Sequence, residues 1–217
     1  MATGRVHAVS PRAVDHGAKE RRRLDILAAA KRSFAATGYH ETKIGDVALA
    51  AGISHGSVYS YFDSKEDLFH ALMDDQEQAL RRHIEQAVGS SVLDGTTGSV
   101  ALFRRSVQAT FEFFEADRDV VKLLFRDSLV LGDRFDRHLG GIYEGFIADI
   151  EKSISSAQAA GHVIDAPPRM IAFSVAALIG QLALRRLSTD DGLSAEVVAD
   201  FVVSLLLDGL RPRGGDA

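Results

Sequence analysis

The 217-residue chain contains no cysteine and only four prolines, two of them near its ends and two adjacent at positions 167 and 168. The absence of cysteine excludes disulfides, thiolate nucleophiles and cysteine-ligated zinc sites. The longest apolar stretch, about residues 170–184, is interrupted by Ser174 and Gln181 and is better interpreted as a buried helix than as a bilayer span. No signal-peptide core precedes it, so we expect a disordered arm over residues 1–18 of a cytoplasmic protein.

The signatures of catalysis and cofactor binding are also missing. There is no G-x-S-x-G elbow and no phosphate-cradling G-x-x-x-x-G-K, and the eight histidines follow no H-E-x-x-H or similar ligand spacing. One acidic cluster comprises Glu112, Glu115, Asp117 and Asp119. Because it lies at a helix end and in the following turn, exposure of the carboxylates to solvent explains it better than acid–base catalysis does. We therefore predict neither an enzyme nor a metal or cofactor site.

The charge of the chain is distributed unevenly. Ten of its 25 Lys and Arg but only six of its 30 Asp and Glu lie in residues 1–65, which leaves that segment at +4 and the remainder at −9. A basic head on an acidic body favours a nucleic-acid-binding module joined to a domain that does not bind nucleic acid. The run Arg21-Arg22-Arg23 adds either non-specific phosphate attraction or merely a solvated face.

Apolar residues recur at helical spacing throughout, and no alternating strand pattern competes with them. We predict an all-α fold of about nine helices, with a three-helix head at 19–65 and a larger helical domain at 66–217. The predicted helices cover about residues 19–37, 44–50, 54–61, 64–88, 99–116, 119–130, 134–160, 167–187 and 194–210.

Local signals in the head predict a helix-turn-helix. Gly38 ends the first helix, Thr42 is a plausible N-cap for the second, and Gly52 supplies a tight turn before Ser54 caps the third. Val58 and Phe62 would anchor the third helix on the core with Val47 and Phe34, and Ala48 would allow close helix approach.

The residues left on the outside of the third helix are short polar or aromatic groups, as a recognition helix requires. They are Ser54, His55, Ser57, Tyr59, Ser60 and Tyr61. Gly56 would let the backbone approach the sugar-phosphate chain, and Lys65 would add charge at the N-terminus of the next helix. For Tyr61, helix packing and DNA contact are equally good interpretations.

The ordered residues of this region resemble a known family. Ile26-Leu27-x-Ala29-Ala30-x-x-x-Phe34-x-x-x-Gly38-Tyr39-x-x-Thr42 leads into Ile44-x-Asp46-Val47-Ala48, then Ala51-Gly52-Ile53-Ser54-His55-Gly56-Ser57-Val58-Tyr59-x-Tyr61-Phe62-x-Ser64-Lys65-Glu66-Asp67-Leu68. This pattern resembles the TetR family of bacterial regulators over about residues 20–70. The resemblance implies DNA contacts from Ser54, His55, Gly56, Ser57, Tyr59, Ser60, Tyr61 and Lys65, with Lys43 as a further phosphate contact. Gly45 departs from the pattern, because many members carry a basic or polar residue there.

The larger domain offers two further sets of candidates. A mostly apolar effector pocket with polar handles would use Phe111, Phe114, Phe125, Arg126, Tyr143, Phe146, Phe173 and Gln181, although core filling is the better explanation for most of the aromatic residues. The last two helices are apolar on several sides, which predicts a dimer interface. Its candidate residues are Met170, Phe173, Ala177, Gly180, Leu184, Val198, Phe201, Val202 and Leu205.

Together these patterns predict a ligand-responsive transcriptional regulator. The resemblance implies a homodimeric repressor that binds a palindromic double-stranded DNA operator and leaves it when an apolar or amphipathic small molecule binds. No membrane partner is expected. Two alternatives remain at the level of sequence: an architectural DNA-binding protein without a ligand, and an all-helical enzyme whose first helices merely resemble the motif.

Overall fold

The computed structural model describes residues 11–93, 98–127, 132–189 and 191–210, and within these ranges the structure is helical. Nine α-helices are described: α1 Pro11–Thr37, α2 Ile44–Ala50, α3 His55–Tyr59, α4 Lys65–Leu93, α5 Ser99–Ala116, α6 Arg118–Val121, α7 Gly132–Ala159, α8 Pro168–Ser188 and α9 Ala195–Leu210. The all-helical prediction is confirmed.

Three of the predicted helices differ clearly from those observed. Helix α4 continues through Gly89 to Leu93, so the loop predicted to follow residue 88 is wrong over residues 89–93. Helix α1 begins at Pro11, so the predicted disordered arm is wrong for residues 11–18, while residues 1–10 lie outside the described residues. Proline suits the first turn of a helix, and Gly17 is the least favourable residue for helix between Pro11 and Lys19. The helix predicted over 119–130 is a short α6 that continues as a π-helical segment, Lys122–Asp127.

Contacts divide the chain into two compact units, Met1–Leu72 and Met73–Ala217. We call them the head and the body. The first two turns of α4 belong to the head because Leu68, Phe69 and Leu72 are fully buried there. The Phe69 ring lies 5.5 Å from that of Phe34 and 5.1 Å from that of Tyr39. Edge-on aromatic packing of this kind therefore joins α1 and α4 in one small core.

The body is held together by two helix pairs, since α5 packs against α9 and α7 against α8. Phe111 of α5 and Val202 of α9 are buried in the larger apolar cluster, which also takes in Val121 of α6. A smaller cluster joins Ile154 of α7 to Val175 of α8. Each of these helices therefore buries one face within the chain.

Helix α8 is both long and apolar. Its segment Pro168–Leu187 is long and apolar enough to cross a bilayer, with a mean hydropathy of 1.5, although a single helix of this kind is weak evidence for a membrane span. Only 28% of that segment is buried within the chain. The sequence interpretation of a buried helix is therefore incomplete, because much of α8 presents apolar side chains at the surface of the body.

Candidate nucleic-acid interface

The turn between α2 and α3 is closed by the backbone alone. Gly52 adopts φ +66°, a left-handed conformation that favours glycine. The N–H of Gly52 donates to the carbonyl of Leu49 (3.1 Å), and the N–H of Ile53 donates to that of Ala48 (3.0 Å). This arrangement brings the two short helices together as a helix-turn-helix.

Helix α3 begins at a side-chain cap. The hydroxyl of Ser54 accepts a hydrogen bond from the backbone N–H of Ser57 (3.1 Å), and the two serine hydroxyls lie 2.7 Å apart. The predicted N-cap is confirmed, and both serines remain at the exposed start of the helix. Their hydroxyls therefore define the N-terminal end that a recognition helix presents to DNA.

One face of α3 is anchored and the other is open. Val58 is fully buried and Phe62 nearly so, as predicted from their spacing. His55, Tyr59 and Ser60 are exposed on the opposite side. The rings of His55 and Tyr59 lie 5.2 Å apart in an edge-on arrangement, so they form one surface. Tyr61 is half-buried.

Two glycines leave bare backbone next to this surface. A Cβ atom at Gly56 would meet nothing within 4 Å, and one at Gly45 of α2 would lie 3.8 Å from Cδ2 of His55. The start of α2 therefore lies beside the start of α3. Because neither glycine carries a side chain, a sugar-phosphate backbone can approach the main chain closely here.

The N-cap of α2 is Lys43, one residue later than predicted. Its backbone N–H donates to the carboxylate of Asp46 (2.8 Å). Thr42 is instead buried, and its hydroxyl lies 2.7 Å from the carbonyl oxygen of Gly38 and 3.2 Å from that of Ser33. Thr42 is unavailable as a cap because its hydroxyl is used in joining α1 to the segment before α2. The Lys43 side chain is exposed.

Lys65 has partners within the head that the sequence did not indicate. Its ammonium donates to the carbonyl oxygens of Tyr39 (2.9 Å), His40 (3.2 Å) and Thr42 (3.0 Å). It also lies 4.4 Å from the centre of the Tyr39 ring, within cation–π range. Burial lowers the pKa of Lys65, and the negative charge of Glu41 opposes that shift. The ammonium is thus surrounded by the segment that joins α1 to α2.

The predicted effector residues occupy different environments in the body. Phe111 and Phe114 are buried in the apolar core, whereas Phe146 lies under the Arg81 guanidinium at 4.5 Å. The rings of Tyr143 and Phe173 lie 6.4 Å apart. Gln181 is exposed on α8. The side chains of Phe125 and Arg126 lie outside the described residues.

The predicted dimer residues separate into two groups. Gly180, Val198 and Val202 are buried within the same chain, so they are corrected from interface to core. Met170, Phe173, Phe201 and Leu205 are between 52% and 67% exposed, and Ala177 and Leu184 are half-buried. Val197 and Leu193, which the sequence analysis missed, are also about half exposed. The exposed residues lie on α8, on α9 and just before α9.

No group of three or more metal-ligating side chains occurs among the residues that the structure describes. Several ionic contacts of the body join different elements, such as Arg81 of α4 with Asp149 of α7. Arg186 of α8 pairs with Glu115 (3.0 Å) and Asp191 (3.2 Å). These charges are arranged as pairs that join elements, which is a structural use.

Comparison with known proteins gives a consistent result for the head. Residues 26–72 match the family described as bacterial regulatory proteins, tetR family. The chain is 25% identical over 201 residues to the uncharacterized HTH-type transcriptional regulator YdgC of Bacillus subtilis, covering 92% of this chain and 97% of YdgC. It is 32% identical over 114 residues to the transcriptional activator FasR of Mycolicibacterium smegmatis, covering 52% of this chain and 49% of FasR.

The fold of the whole chain also has solved counterparts. The regulator FadR of Bacillus subtilis, determined in complex with stearoyl-CoA, superposes with a TM-score of 0.74 at 17% identity, covering 87% of this chain and 99% of FadR. At that identity the similarity establishes the fold. The match over residues 26–72, the part of the chain that holds the glycine turn and the capped α3, together with the full-length similarity to YdgC, shows that the chain belongs to the TetR family of helix-turn-helix transcriptional regulators, which bind DNA and are not enzymes.

Proposed function

We propose that this protein is a homodimeric repressor that binds a palindromic operator and is released by an apolar or amphipathic small molecule. The observation that carries the proposal is the open face of α3, where His55 and Tyr59 pack together beside the bare backbone of Gly56. Its DNA target assigns it to the bacterial cytoplasm.

The DNA surface combines base-reading and phosphate-binding groups. His55, Tyr59 and Ser60 face outward from α3 and supply ring edges and a hydroxyl for the major groove. The exposed Lys43 supplies a charge for phosphate. The remaining predicted contacts are Ser54, Gly56, Ser57 and Tyr61. Since Gly45 offers no side chain, sequence readout rests on α3.

A second copy of the chain is the proposed occupant of the apolar surface on α8 and α9. Met170 and Phe173 lie three residues apart on α8, and Val197, Phe201 and Leu205 lie four apart on α9, so each helix carries an exposed apolar stripe. Two stripes on neighbouring helices suit an isologous four-helix contact with a symmetry mate. A dimer would present two recognition helices to successive major grooves, about 34–36 Å apart.

The effector is proposed to enter the body among its aromatic side chains. Phe146 and Tyr143 are only partly buried, and the FadR of similar fold was determined with stearoyl-CoA. A long-chain acyl-CoA is therefore the first probe. Binding of an effector typically changes the affinity for a second ligand by about 5–150-fold. We expect the effector to lower operator affinity by a factor in this range.

The experiment is selection of a genomic fragment library at fixed salt. We expect the wild type to recover a palindrome bound near or below about 10⁻⁸ M, and Tyr59→Ala to lose about 10- to 100-fold. Leu24→Ala, which truncates an exposed apolar side chain on α1, is the matched control and should bind like the wild type. Sequence-blind binding by the wild type, or equal loss in both variants, contradicts the proposal.

The direction of regulation needs its own measurement, since the relative FasR is named an activator. A reporter placed behind the recovered operator should be silenced by the protein and restored by the effector. Rising expression with added protein would reverse the assignment of repression while leaving the operator in place.

A further inference from the structure

The first residue of α4 is directed back towards the segment that precedes α2. We propose that Lys65 is a positioning residue for DNA binding, which fixes the segment 38–43 and with it the start of α2, and that it does not itself contact phosphate. The inference rests on the proposed operator binding. It assigns the Lys65 ammonium to holding the DNA-binding surface in place.

The hydrogen-bonding capacity of the Lys65 side chain is fully used. A lysine ammonium has three N–H donors, and three carbonyl oxygens of the head, those of Tyr39, His40 and Thr42, lie 2.9–3.2 Å from Nζ. The Tyr39 ring lies against the same ammonium. A phosphate contact would therefore require breaking at least one of these bonds and leaving a carbonyl group without its donor.

The segment held in this way leads directly into the DNA-binding surface. Gly38 ends α1 with φ +87°, and the segment then passes through the buried Thr42 to Lys43, the N-cap of α2. Because Lys65 binds the carbonyl of Thr42, it fixes the peptide group that joins Thr42 to Lys43. The start of α2 in turn lies beside His55, as the 3.8 Å approach at Gly45 indicates.

The start of α4 is itself well defined. The hydroxyl of Ser64 accepts a hydrogen bond from the N–H of Asp67 (3.0 Å) and donates to its carboxylate (2.9 Å). Lys65 therefore extends from a capped first turn to the Thr42 carbonyl, 23 residues earlier in the chain. A displacement of the first turn of α4 would thus move the start of α2, without any contact between Lys65 and DNA.

Salt dependence separates positioning from phosphate contact. Each neutralised phosphate adds about 0.9 to the slope of log affinity against log salt concentration. Lys65→Met, which removes the donors but keeps most of the stem, is expected to weaken operator binding about tenfold with the wild-type slope. Lys43→Met is the matched control, because its exposed ammonium should contribute about one unit of slope.

Lys65→Arg provides the second arm. A guanidinium binds phosphate well but is planar, so it cannot reproduce three bonds from one nitrogen. We expect Lys65→Arg to remain weak. A reduced slope in Lys65→Met together with recovery in Lys65→Arg would overturn the inference, whereas failure of the wild type to select DNA would overturn the proposed function instead.

A measurement on the wild type makes the test independent of variant stability. The ε-methylene NMR signals of Lys65 should stay in place when the operator is added, while those of Lys43 shift. The reverse pattern would show that the Lys65 ammonium leaves its carbonyl partners for phosphate, and the inference would fail even if both variants were poorly folded.

Discussion

Tyr39 is the buried phenol beneath the Lys65 ammonium. Burial raises the pKa of Tyr39 to about 12, and the negative charges of Glu66 and Asp67 act in the same direction. In the unfolded chain the group would ionise near its ordinary value of 10.0. Between these values the folded state binds more protons than the unfolded state, so the free energy of unfolding falls as pH rises.

A spectroscopic titration tests this assignment. Tyrosinate absorbance of the wild type should include a step near pH 12 that is missing in Tyr39→Phe. The free energy of unfolding of that variant should also fall less steeply above about pH 10 than that of the wild type. If Tyr39→Phe instead removes a step near pH 10, the phenol is not buried as described.

Residues with local roles were predictable from sequence, and residues with distant partners were not. Gly52 and Ser54 act within a few positions of themselves, and both were identified correctly. Thr42 fits the N-cap pattern equally well, but its hydroxyl is used by carbonyls of the preceding helix, so the cap falls on Lys43. The bonds of Lys65 span 23–26 residues, a separation that no local pattern reveals.

Among the elements, the helix-turn-helix offers two glycines with opposite requirements. Gly52 needs its left-handed φ of +66°, whereas a Cβ at Gly56 would meet nothing within 4 Å inside helix α3. Gly52→Ala is expected to destabilise the head by about 1–2 kcal/mol. Gly56→Ala is expected to leave stability equal or slightly higher, because alanine favours helix, and to weaken operator binding by placing a methyl group against DNA.

Chemical denaturation and operator titration of both variants give the comparison. If Gly56→Ala binds DNA like the wild type, DNA does not approach the main chain of α3 closely at position 56. A Gly52→Ala protein of unchanged stability would contradict the strained turn.

Element boundaries reveal a second limit of sequence reasoning. Glycine and proline marked helix ends unevenly, since α1 begins at Pro11 and α4 continues through Gly89 to Leu93. The start of α8 near Pro168 was predicted to within a residue. The π-helical segment after α6 was not, because its residues Lys122–Asp127 have the same apolar spacing as an ordinary helix. The buried faces of α8 and α9 were also assigned only in part, since helices apolar on several sides give no single periodic stripe.

For the whole molecule, the exposed stripes on α8 and α9 predict self-association. Phe201→Glu places a charge on a side chain that is 61% exposed in the single chain and buried in the proposed dimer. We expect sedimentation to report a monomer, or a dimer weakened at least about tenfold, and operator affinity to fall with it. Gln86→Glu on α4 adds the same charge at an exposed polar position and should remain dimeric. A dimeric Phe201→Glu protein would move the interface elsewhere.

The exposed surface of α3 has a consequence for how the protein finds its site. From Ser54 to Tyr61 the chain contains no lysine or arginine, and the ammonium of Lys65 is held within the head. The recognition helix itself therefore supplies no cation for arbitrary DNA, and non-specific attraction falls to cations elsewhere in the head, such as the exposed Lys43. Contacts made by α3 should therefore add little to the binding of random sequence, so that the preference for the operator comes from α3 while the salt-dependent attraction to any DNA comes from the rest of the head.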